Sequence, residues 1–122
     1  MSSPIIFVVD DSRASRMLTL AIIKNELPDA KIFEASNGDE ALVLLETIKP
    51  TLAILDMDMP GITGLELAEK IAVISPSTIR ALLTANIQES TRAEAERIGV
   101  IFFKKPVSER VLKEILLLLN KE

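Results

Sequence analysis

Four short apolar runs in this chain each stop on polar residues, and that arrangement limits the fold more than any other feature. Pro4-Ile5-Ile6-Phe7-Val8-Val9 ends on Asp10-Asp11, and Leu52-Ala53-Ile54-Leu55 ends on Asp56. Ile79-Arg80-Ala81-Leu82-Leu83 ends on Thr84, and Val100-Ile101-Phe102-Phe103 ends on Lys104-Lys105-Pro106. Amphipathic stretches of helix length separate them, which argues for repeated βα units and a parallel sheet. As parallel strands of one sheet, the runs bring their carboxyl ends to a single edge. Three carboxylates, a hydroxyl and an ammonium then face one pocket.

The rest of the chain fits that frame. Residues 4–9 are almost wholly apolar, as a strand buried on both faces should be. Ser12 can cap a helix in which Ala14, Met17, Leu18, Ala21 and Ile22 recur at helical spacing until Pro28. Residues 31–35 alternate and read as a half-exposed edge strand. Asn37 caps a helix over 40–48 with Ala41, Leu42, Leu44, Leu45 and Ile48 on its apolar face. The central strand is 52–56. A loop at Met59-Pro60-Gly61 leads to a helix starting at Thr63 or Gly64, with Leu65, Leu67, Ala68 and Ile71 inward. A fourth strand over 78–83 runs into an unusually polar helix over 88–98, which Gly99 stops. The strand 100–103 and the helix 107–119 complete a (βα)5 unit, so one domain over 1–122 is expected. Right-handed crossovers put helices on both faces. In the flavodoxin-like, doubly wound order 2-1-3-4-5 the ligand crevice lies between strands 1 and 3, where Asp10, Asp11 and Asp56 sit.

Composition removes several classes of function. The chain of 122 residues has no cysteine and no histidine, so thiolate sites, the commonest zinc ligand and the commonest general base are excluded. A net charge of −4 argues against gripping nucleic acid through its phosphates. Met1-Ser2-Ser3-Pro4 lacks the basic start of an export signal, and the apolar runs are too short to span a bilayer. A cytoplasmic location with no membrane association is therefore expected.

The remaining chemistry belongs to carboxylates, hydroxyls, amines and a borrowed cation. Asp10 and Asp11 beside Asp56 would repel one another without one. Mg²⁺ prefers oxygen ligands and commonly takes one or two carboxylates plus a phosphate; Mn²⁺ could replace it. Asp56 can act as a nucleophile towards a phosphoryl group, giving an acyl phosphate. Lys105 supplies positive charge to the phosphoryl oxygens, and Thr84 can donate a hydrogen bond to one. Taken singly, each residue has an ordinary structural explanation as a helix cap, a turn residue or a surface charge. Four strand ends sharing one edge make those separate explanations fail together.

In these pieces, taken in order, the chain resembles a receiver domain of two-component response regulators, from Ile5 to about Leu118. The matching residues are Val8-Val9-Asp10-Asp11-Ser12, Asn37-Gly38-Asp39-Glu40-Ala41-Leu42, residues 50–61 with Gly64, Leu83-Thr84-Ala85 and Lys105-Pro106. The resemblance implies that Asp56 accepts phosphoryl from a histidine kinase, a phosphotransfer protein or a small acyl phosphate. It implies direct Mg²⁺ binding by Asp11, Asp56 and the backbone carbonyl of Asp58, with Asp10 acting largely through water. It also implies a cis peptide before Pro106, phosphoryl contacts from Lys105 and Thr84, and a switch made of Thr84 and Phe102. Phe102 stands where many members carry Tyr, while Asp58 and Asn86 occupy positions that tune phosphoryl lifetime in the family. On this reading the protein is a phosphorylation-dependent switch that catalyses only its own phosphorylation and dephosphorylation.

The main rival is a haloacid-dehalogenase-like phosphatase, since Asp56-Met57-Asp58 has that family's nucleophile spacing. That family, however, places its nucleophile after the first strand. A flavin-binding flavodoxin-like domain would need a phosphate loop where Asp10-Asp11-Ser12-Arg13 stands. A degenerate receiver that only binds partners would not need all five site residues. The kinase and the downstream effector are not named by the sequence. The expected face for an effector, or for a homodimer, is the helix 88–98 with the strand 100–103 and the helix 107–119. Both a stand-alone receiver and one domain of a larger protein are compatible with the chain.

Overall fold

Ile6, Phe7, Val8 and Val9 are all buried because β1 (Ile5–Val9) lies inside the sheet, between β2 (Lys31–Ala35) and β3 (Leu52–Asp56). This computed structural model describes residues 3–86 and 88–120, so the outermost residues of the expected domain lie outside it. β4 (Ile79–Thr84) and β5 (Ile101–Lys104) extend the sheet to the order β2-β1-β3-β4-β5, and every pairing is parallel. The expected α/β class and strand order are therefore present.

Alternate residues of the sheet serve two cores. Phe7, Val9, Ala53, Leu55 and Leu82 pack against α2 (Gly38–Leu44), α3 (Gly64–Ile74) and α4 (Glu89–Ile98). Ile6, Val8, Leu52, Ile54, Ala81 and Leu83 pack against α1 (Arg13–Glu26) and α5 (Glu109–Leu116). β3 is buried along its whole length, as an apolar central strand requires.

The inward face of α1 differs from the expected one. Met17 and Leu18 are exposed, while Thr19 and Ile23 are buried. The Thr19 hydroxyl donates to the Ser15 carbonyl at 3.0 Å, so this polar side chain enters the core already hydrogen-bonded. Other differences are at element ends. Asn37 accepts from the Glu40 N–H, which starts α2 at Gly38 and not at Glu40. Ser108 accepts from the Val111 N–H and makes Glu109 the first residue of α5, so Pro106 precedes the last helix and does not begin it. A 3₁₀ turn, Leu117–Asn120, follows. Gly99 at φ 80° closes α4, and the Val100 N–H still bonds the Ala95 carbonyl, which delays β5 to Ile101. Thr78 is held outside β4 by its hydroxyl, which donates to the Pro50 carbonyl.

Candidate functional site

Asp10 follows β1 and is 4% exposed, and Asp56 ends β3 and is 3% exposed. Asp11 lies at the open side of the same crevice. One carboxylate oxygen from each of the three lies within 4.8 Å of the others. Local hydrogen bonds set these side chains. The Ser12 N–H donates to Asp10 Oδ1 at 2.9 Å, while the Ser12 hydroxyl caps α1 by accepting from the Ser15 N–H. The Asp58 N–H donates to Asp56 Oδ1 at 3.2 Å. From the far side of β4, the Lys105 N–H bonds the Thr84 carbonyl, and Lys105 Nζ lies 2.6 Å from Asp56 Oδ1. The Lys105–Pro106 peptide is cis. Asp58, Pro106, Ala14 and Leu18 complete the walls of an open cleft. A larger hollow at the opposite end of the sheet, beside Pro4, Leu27 and Leu116, holds none of these groups.

Burial raises the Asp56 carboxyl to about 6, against the pull of Lys105 and with the Asp11 carboxyl adding to the rise. Burial acts on Lys105 in the opposite sense, but the facing Asp56 outweighs it and leaves the ammonium above its ordinary value. Between 3.8 and about 6 the folded chain thus holds a proton on Asp56 that the unfolded chain has released. Stability from this group is present at low pH and is lost as pH rises through that window. In chelator, the urea midpoint of wild type should therefore fall relative to that of Asp56→Asn as pH rises from about 4 to about 7. Parallel pH profiles for the two proteins would refute this.

The donor set suits a hard divalent cation: three carboxylates, all oxygen ligands, opposed by one ammonium. Of the other expected residues, Asp58 lines the cleft, whereas Thr84, Phe102 and Asn86 do not. The Thr84 hydroxyl is buried and donates to the Asn86 carbonyl at 3.0 Å. Phe102 pairs in register with Leu82 and packs, half-buried, on the core with Met57 and Ile98, with the Arg92 guanidinium 6.0 Å over its ring. Asn86 and Asp58 are exposed. Sequence reasoning passed over Arg16, whose Nη1 donates to the Asp10 carbonyl at 2.6 Å. Its only signal in the sequence is its position one helical turn after the Ser12 cap.

Residues 6–117 match the family model of the response regulator receiver domain. The chain belongs to that family. It is a receiver domain of two-component signalling, a signalling switch, and the phosphatase alternative finds no support. The chain is 31% identical over 114 residues to a positive alginate biosynthesis regulatory protein of Pseudomonas aeruginosa, covering 91% of this chain and 45% of that one. It thus spans less than half the length of that relative. It is 30% identical over 102 residues to sporulation initiation phosphotransferase F of Bacillus subtilis, covering 83% of this chain and 81% of that protein. A CheY-like receiver domain structure from Methanospirillum hungatei superposes with a TM-score of 0.89 at 26% identity, covering 98% and 95% of the two chains.

Proposed function

We propose that this receiver domain is phosphorylated on Asp56 in a Mg²⁺-dependent reaction. The phosphoryl donor is a histidine kinase, a phosphotransfer protein or a small acyl phosphate. The observation that carries this reading is the Lys105 ammonium 2.6 Å from the Asp56 carboxylate, inside a cluster of three aspartates. The relative named as a phosphotransferase is similar over most of its length.

Asp56 attacks phosphorus through one carboxylate oxygen. The bond from phosphorus to the donor atom breaks: a phosphohistidine gives back its imidazole nitrogen, and acetyl phosphate gives up its acyl oxygen and leaves as acetate, so that with acetyl phosphate no proton need move. Raised to about 6, the Asp56 carboxyl is more basic than an ordinary aspartate yet mostly ionised at neutral pH. Lys105 leaves its contact with Asp56 to balance the incoming phosphoryl oxygens. Asp11, Asp56 and the Asp58 carbonyl would hold Mg²⁺, or Mn²⁺ in its place, with Asp10 acting through water. The bound ion supplies charge neutralisation at the phosphoryl oxygens.

The Thr84 hydroxyl then exchanges the Asn86 carbonyl for a phosphoryl oxygen, and Phe102 moves with it, changing the face made by α4, β5 and α5 for an effector or a second copy. Asp58 and Asn86, exposed beside the cleft, tune the lifetime of the phosphoryl group. No described helix is long and apolar enough to cross a membrane, in keeping with a cytoplasmic role for the domain.

Incubation with acetyl phosphate and Mg²⁺ should add one acid-labile phosphoryl group by intact mass. Chelator or Asp56→Asn should abolish it. Labelling of equal extent in the variant, on another residue, would overturn the assignment.

A further inference from the structure

We propose that Arg16 is a positioning residue for the metal site, acting through the Asp10–Asp11 peptide and not by contact with the ion or the phosphoryl group. This rests on the metal-site reading given above. Arg16 lies on the first turn of α1, its own N–H bonded to the Ser12 carbonyl. Its side chain is 15% exposed and turns back beneath the acidic loop. Nη1 donates to the Asp10 carbonyl at 2.6 Å, and Nε donates to Glu34 Oε1 at 2.7 Å. Two bonds from one rigid plane fix the guanidinium, and Glu34, on edge strand β2, anchors it to the sheet.

The consequence for the site follows from peptide geometry. The Asp10 carbonyl and the Asp11 N–H belong to one planar unit, so holding the carbonyl fixes the plane and the direction in which the chain enters Asp11. The Asp10 N–H is held separately by the Ala35 carbonyl, and Asp10 Oδ1 by the Ser12 N–H. Asp11 is the exposed member of the cluster, so Arg16 supplies its backbone with a constraint that burial gives to Asp10 and Asp56.

Charge alone predicts the opposite effect. Arg16 brings a positive charge beside three carboxylates without lining the cleft. Removing only that charge would leave more uncompensated negative charge and tighten Mg²⁺ binding. Removing the positioning bonds should weaken it, and metal-site residues of this indirect kind typically alter affinity by about 10- to 100-fold.

Mg²⁺ titration by calorimetry on the full chain separates these readings. Arg16→Gln should weaken Mg²⁺ binding about tenfold, and Arg16→Lys, which keeps the charge but loses the planar fork, should recover less than half of that loss. Glu34→Gln should weaken binding less than Arg16→Gln and add nothing to it in the double variant. Tighter binding, or a loss smaller than about threefold in both Arg16 variants, overturns the proposal. Should Arg16→Gln fail to fold, Arg16→Lys alone decides on the same threshold. If wild type itself binds no Mg²⁺, it is the metal-site reading that fails.

Discussion

Gly64→Ala is expected to destabilise the domain by about 3 kcal/mol, a loss of the size seen when a methyl group is forced into a filled core. A Cβ on Gly64 would stand 2.7 Å from Leu82 Cδ1 and 2.8 Å from the carbonyl carbon of Asp56, with the carbonyl oxygen nearer still. Two of those three atoms are backbone of β3, which is buried throughout and paired on both sides. They cannot turn aside as the end of a side chain could. The Gly64 N–H also bonds the Met57 carbonyl, so α3 cannot lift away without breaking the loop that follows Asp56. A melting temperature lower by about 10 °C is the corresponding calorimetric result. Gly61→Ala is the useful contrast: its φ of 81° strains an alanine, but nothing lies within 4 Å of the added carbon. That variant should cost about 1 kcal/mol. Equal losses at the two positions, or a change of less than a degree for Gly64→Ala, would show that α3 does not press on the end of β3 as described.

Mg²⁺ should raise the stability of wild type by about 2.7 kcal/mol at a concentration one hundred times its dissociation constant, because it binds only the folded chain. Asp11→Asn should remove most of that gain. The same substitution should stabilise the metal-free protein, since it relieves repulsion against Asp56 at an exposed position where no cavity is created. The two proteins are therefore expected to exchange rank: Asp11→Asn melts higher in chelator and lower in saturating Mg²⁺. Differential scanning calorimetry in both conditions checks this. A common order in the two conditions would contradict a carboxylate cluster built around a cation.

The legible parts of the structure were those where one physical demand dominates. β3 could be read residue by residue because Leu52, Ala53, Ile54 and Leu55 leave no polar face. Asp10, Asp11, Asp56 and Lys105 could be grouped because each ends or follows a strand of one parallel sheet. The face of α1 could not be read from hydropathy, because Thr19 satisfies its hydroxyl within its own helix and so passes for an apolar residue. The direction of the Thr84 hydroxyl depends on where the loop puts the Asn86 carbonyl, and no pattern of residue types encodes that. Arg16 was overlooked for a related reason. Its partner at the site is a peptide carbonyl, which every residue possesses.

The strand order also has a temporal meaning. The carboxylates all belong to the first half of the chain, on strands that are neighbours in the sheet, whereas the Lys105 ammonium, the one in contact with them among the described residues, is carried past β4 from the last strand. A chain elongating from its amino terminus thus completes its acidic cluster some fifty residues before the ammonium that contacts it exists. Until Lys105 emerges, only Arg16, held against the Asp10 carbonyl, and dissolved cations can balance that corner of the nascent fold. Ionic conditions during synthesis therefore bear on how early the first three strands can close, and the βα unit that brings Lys105 lessens that dependence in the folded domain.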